Sequence, residues 1–134
     1  MGRRALLPPG WPRPKGYANG VVAQGRTVFV AGQSGWDETE QLVSDDFGVQ
    51  FRQVLANTLA VLAEAGAGPE HIVRMTWFIT SRDEYLAAQA AMGQAWKDLI
   101  GRNYPAMAVI IVSGLVEVRA KVEIETTAVV PEEA

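Results

Sequence analysis

The chain has 134 residues, 49% hydrophobic and 20% charged, with a formal net charge of -3. That length fits one domain with a real core, and the mild negative charge argues against non-specific nucleic-acid binding through a basic surface. The absence of cysteine excludes disulfides, thiolate nucleophiles and cysteine-bound metals; the single histidine, His71, cannot build a multi-histidine site; and no run of 18 apolar residues marks a membrane span.

Residues 1–16 hold four of the seven prolines and are expected to form an extended arm ahead of a domain over 17–134. Trp11 is an odd residue to leave in water, so part of the arm is expected to pack on the body. Arg3 and Arg4 are followed by Pro8, Pro9 and Pro12, which does not read as a signal peptide. Residues 16–24 and 26–31 read as two strands around a turn at Gly25, the second carrying the β-branched and aromatic run Thr27-Val28-Phe29-Val30. Gly32 to Gly35 breaks the strand, and the polar residues 34–44 are expected to be a mobile loop.

Asp45 and Asp46 are N-cap candidates for a first helix. Its buried stripe is Phe51, Val54, Leu55, Thr58, Leu59 and Leu62, and it ends at Gly66 before Pro69. His71 follows in a turn. A strand over 72–80 places Val73, Met75, Trp77 and Ile79 on one face. Ser81 and Glu84 have capping-box spacing. A second helix then carries Tyr85, Ala88, Met92, Trp96 and Leu99 on one face, and Gly101 ends it. Strands follow over about 107–113 and 119–130.

This order predicts an α+β fold: a single domain whose mixed sheet of five or six strands is covered on one face by two helices. The other face stays apolar through Val109 and Ile111, or through Ile110 and Val112, which points to a subunit interface.

Several segments, in order, carry a resemblance. They are Gly16-Tyr17, Val28 to Gln33, Gln50 with Asn57, Ala65-Gly66-Ala67, Trp77 to Thr80, Tyr104-Pro105-Ala106 and Val122-Glu123-Ile124-Glu125. This set resembles the RidA/YjgF imine-deaminase family from Tyr17 onward. The resemblance implies a chorismate-mutase-like fold, a homotrimer with clefts between subunits, and a cytoplasmic setting. It also implies hydrolysis of reactive enamines and imines to 2-keto acids and ammonia, with neither cofactor nor metal. The implied partners are a small-molecule ligand and two further copies of the chain, with no nucleic acid and no membrane.

Carried over by position, Tyr17 matches the cleft tyrosine, Gly32 the glycine whose backbone approaches the ligand, and Glu123 the carboxylate that holds or polarises the attacking water. Gln89 falls where an asparagine is common, and Val109 where a cysteine or other small residue is found. Met107 replaces the arginine that grips a substrate carboxylate. Trp36 is either a lid over the cleft or packed on the body.

Imine hydrolysis asks for a positioned substrate, one placed water and proton transfer. Glu123 can accept a proton from that water; alternatively Lys121, Glu123, Glu125 and Thr127 simply alternate on the polar face of an edge-type strand. Tyr17 either donates to the ligand or plugs a strand end. Gly32 either offers its amide to a ligand or serves a bend. Losing one member of a buried arginine–carboxylate pair costs on the order of 3–5 kcal/mol, and methionine supplies only a polarizable apolar wall. Arg74, Arg102 and Arg119 are candidate substitute cations. The expected function is therefore a RidA-like hydrolytic deaminase whose substrate is not a standard 2-imino acid. A non-catalytic trimer binding a metabolite or partner protein is the alternative, and endoribonuclease activity the least favoured.

Overall fold

The structure, a computed structural model, describes residues 3–132; the first two residues of the expected arm and the last two of the expected domain lie outside them. In chain order it contains β1 (Arg3–Leu6), β2 (Gly20–Ala23), β3 (Arg26–Gln33), α1 (Phe47–Glu64), β4 (Ile72–Ile79), α2 (Arg82–Ala87), α3 (Gln89–Leu99), β5 (Ala106–Ile111) and β6 (Val122–Val130). A 3-10 turn, Pro69–His71, leads into β4. The fold is α+β. The six strands divide into a mixed four-stranded sheet, in the order β3-β6-β4-β5, and an antiparallel pair, β1-β2. Only β5 runs parallel to its neighbour, β4.

The helices pack on one face of the sheet because both elements bury matched stripes. α1 buries Phe51, Val54, Leu55, Thr58 and Leu62, and α3 buries Met92, Ala95 and Trp96. Opposite them β6 buries every second residue: Val122, Ile124, Thr126, Ala128 and Val130. β4 buries Ile72, Met75, Trp77 and Ile79. Val73 does not share that face as the alternation predicts, because an irregularity in the β4–β6 register between Ile72 and Arg74 shifts the phase.

The termini of α1 follow residue chemistry. The Asp46 carboxylate accepts from the Val49 amide. At the other end Gly66 has φ +70, and the Gly66 and Ala67 amides donate to the Ala63 and Leu62 carbonyls, a Schellman arrangement that needs the left-handed residue. The expected capping box at Ser81 is half formed. Ser81 accepts from the Glu84 amide, but the Glu84 carboxylate instead takes a hydrogen bond from Lys121 Nζ at 2.6 Å. The second helix is two segments, because the Ala88 amide is shared between the Glu84 and Tyr85 carbonyls and the backbone tightens there.

Three further expectations change. β6 lies between β3 and β4, so Glu123 stands on a central strand and not an edge strand. Within the expected arm, Arg3–Leu6 pairs with β2, while Trp11 stays exposed. Residues 34–44 are tied back as a small hairpin, with Trp36 bridged to Leu42 and the Asn57 amide donating to the Ser34 and Trp36 carbonyls. Gln50, fully buried in α1, holds the other side of this region. Its Nε2 donates to the Ser44 and Arg119 carbonyls, and its Oε1 accepts from the Lys121 amide.

Candidate functional site

Beside the closing strands a cavity of about 720 Å³ opens between α3 and the edge strand β5, a size suited to a small ligand. Met107 and Val109 reach it from β5. They lie on the helix-facing side because they pair with Met75 and Trp77, both buried there. Tyr17 enters from the chain before β2. Its placement follows from Ala18, which bridges to Ala106 and whose amide donates to the Pro105 carbonyl at 2.9 Å. The far side of that loop is fixed by Arg3. Its guanidinium donates to the Ile72 and Tyr104 carbonyls, and partial burial lowers its pKa.

The cavity is walled by aromatic rings. Phe51 meets Trp77 edge-on at 5.0 Å, Trp77 lies 6.0 Å from Trp96, and Trp96 stacks on Tyr104 at 6.4 Å. Gln89, Gly93 and Lys97 line it from successive turns of α3. The Gln89 side-chain nitrogen donates to the Tyr85 carbonyl. The sequence reading placed Trp77 and Trp96 in the core, where they are, but did not assign their rings, Gly93, Lys15 or Lys97 to a cavity. The spacing of Gln89, Gly93 and Lys97 was the available signal: a polar and glycine stripe beside the buried Met92 and Trp96.

Glu123 and Gly32 form a second cluster on the open face of the sheet. Glu123 pairs with Phe78 on β4, opposite in phase to the buried Val122 and Ile124. Buried Ser34 donates to Glu123 Oε1 at 3.4 Å. A side chain at residue 32 would collide with the Glu123 carboxylate, so the glycine is what lets β3 run this close. No cation pairs with Glu123 among the described residues.

The seven expected site residues thus fall into groups. Tyr17, Gln89, Met107 and Val109 share the cavity; Gly32 and Glu123 share the open face; Trp36 belongs to the tied hairpin and lines neither. Of the three candidate substitute cations, only Arg102 lines the cavity. Arg119 is engaged with Asp45 at 2.9 Å, and Arg74, on the outer phase of β4, is exposed. His71 is a turn residue whose Nδ1 accepts from the Gly68 amide.

The chain is similar to known proteins over most of its length. A family model described as endoribonuclease L-PSP matches residues 12–130. A RutC family protein of Synechocystis is 34% identical over 122 residues, 90% of this chain and 91% of that protein. A protein of Dermatophagoides farinae named 2-iminobutanoate/2-iminopropanoate deaminase is 28% identical over 129 residues, 96% of this chain and 97% of its own. Among solved structures, a Rid-family protein of Yersinia pestis superposes with a TM-score of 0.84 at 33% identity, covering 97% of this chain and all of that one. The chain belongs to the endoribonuclease L-PSP family, that of the RidA/YjgF proteins.

Proposed function

We propose that the protein is a hydrolytic deaminase of a reactive imine or enamine, working as a homotrimer in clefts between subunits. What supports the shared cleft is the division of the site: Tyr17, Met107 and Val109 lie on the helix side, while Glu123 and Gly32 lie on the open face of the same sheet. In this reading a second copy brings its Glu123 against a Tyr17. The open face has reason to be covered, since Phe29 is 78% and Ile110 43% exposed on it.

In this reading a neighbour's Glu123 carboxylate takes a proton from water as its oxygen adds to the protonated imine carbon. The resulting carbinolamine gains a proton on nitrogen, its C–N bond breaks, and ammonia leaves as the carbonyl forms. The balance is iminium plus water giving ketone and ammonium. Tyr17 orients the substrate or that water, and the Gly32 backbone borders the carboxylate. The relatives named as 2-iminobutanoate/2-iminopropanoate deaminases support the reaction class.

The test is hydrolysis of 2-iminobutyrate and of an aromatic imino acid, each generated in situ by an amino-acid oxidase. Catalysis of at least one is expected, with Glu123→Gln lowering the rate roughly 100-fold or more. No acceleration of either would contradict the reading. It would favour instead a binding trimer without turnover, to which the loss of a cation at Met107 also points.

A further inference from the structure

The position occupied by Met107 lacks a cation, yet the cavity as a whole does not. Lys15, Lys97 and Arg102 all line it, and no lining residue is acidic, in a chain whose net charge is -3. Among the described residues none of the three is in a salt bridge. The lining also includes Met107 with Trp77 and Trp96, the two tryptophans keeping 7% and 8% of their surface exposed. The two indole N–H groups are buried without partners among the described residues. The tryptophans therefore offer a ligand ring carbons and not donors.

Gly93 adds an independent observation. It sits mid-helix in α3, where glycine costs about 1 kcal/mol relative to alanine. A Cβ built there meets nothing within 4 Å, and φ lies outside the left-handed region. Neither packing nor backbone strain within the chain calls for a glycine. Its effect is to leave the cavity wall open.

We propose that this cavity binds an aromatic anion: a flat apolar body held between the Trp77–Trp96 wall and Met107, across from Gly93, with its carboxylate at Arg102. Arg102 directly follows Gly101, the residue of φ +73 that ends α3, and precedes by two residues the Tyr104 ring stacked on Trp96. Its guanidinium offers a carboxylate the paired donors that a methionine cannot. Resting on the deaminase reading for the reaction alone, the substrate class of the site is then the imine of an aromatic 2-amino acid, held by the cavity rim and not from β5.

Calorimetric titration of the full chain with indole-3-acetate, indole-3-acetamide and butyrate tests the binding. Indole-3-acetate is expected to bind roughly tenfold or more tightly than either of the others, one sharing its ring and the other its charge. Arg102→Met should erase the preference for acetate over acetamide while ring binding persists. Gly93→Leu should abolish binding of all three while thermal stability holds or rises, showing that the fold is intact. Equal binding of indole-3-acetate and butyrate, or a charge preference untouched by Arg102→Met, or binding untouched by Gly93→Leu, overturns the proposal. Failure of this site with imine hydrolysis intact leaves the deaminase reading standing. Selective binding without hydrolysis of any imine does the reverse.

Discussion

Met107 and Glu123 lie on opposite faces of one sheet. Met107 pairs with Met75 on the face covered by the helices, and Glu123 pairs with Phe78 on the open one. Because β4 borders both β5 and β6, the alternation of β4 fixes this relationship. A substrate held in the cavity beside Met107 cannot meet the Glu123 of the same chain through the sheet. The proposed division of the site between copies rests on this register.

Met107→Arg places a guanidinium at the cavity, beside Val109 and the Trp77 ring. A charge-assisted hydrogen bond contributes about 1.5–3 kcal/mol, so KM for 2-iminobutyrate should fall roughly tenfold or more. Steady-state kinetics on the wild type and variant check this. An unchanged KM would show that the cavity is not where a small imino acid binds.

Gly32→Ala forces a methyl group into the space of the Glu123 carboxylate. The carboxylate is the far end of a flexible side chain, so it can move at a stability cost of about 1 kcal/mol. Turnover should suffer more than stability, by roughly tenfold, because the displaced group is the proposed base. Turnover at the wild-type level would remove the Gly32–Glu123 approach from the mechanism.

Much of the fold was legible in the sequence because burial follows period. The α1 stripe from Phe51 to Leu62 and the alternation along β6 both appear as read. The pairing of Arg3–Leu6 with β2 was not legible, since it depends on contacts between segments well apart in the chain. No proline or glycine marks the interruption at Ala88. The motif residues Tyr17 and Met107 do share a cavity, but local alternation cannot give the phase of one strand relative to another. That the Glu123 side lies opposite therefore required the β4–β5 and β4–β6 registers.

Gln50→Leu removes a side chain that serves three backbone groups: the Ser44 and Arg119 carbonyls and the Lys121 amide. Buried groups left unpaired cost about 1–3 kcal/mol each. A loss on the order of 3 kcal/mol is expected in urea unfolding of the protein. A loss under about 1 kcal/mol would show that water replaces the amide without difficulty.

Asp37 makes the hairpin over 34–44 sensitive to acid. The Thr39 hydroxyl at 2.6 Å, then the Thr39 and Gln41 amides, hold its pKa below the ordinary 3.8. The folded value is below the unfolded one, so the stabilisation is present above the unfolded pKa and is lost as pH falls through the folded value. Hydrogen exchange of the Thr39 and Gln41 amides at about pH 6, above the ordinary carboxylate range, should thus show protection that Asp37→Ala removes. Equal protection in both proteins would contradict the assigned role.

The most direct test of a site shared between copies is subunit complementation. Tyr17→Phe and Glu123→Gln are each assayed alone for imine hydrolysis, then dissociated, mixed and reassembled. Each variant alone should be impaired. The mixture should regain activity, because some clefts then join an intact Tyr17 from one subunit to an intact Glu123 from another. A mixture no more active than the average of its two components, after mixed assembly has been verified by mass, would contradict the shared site.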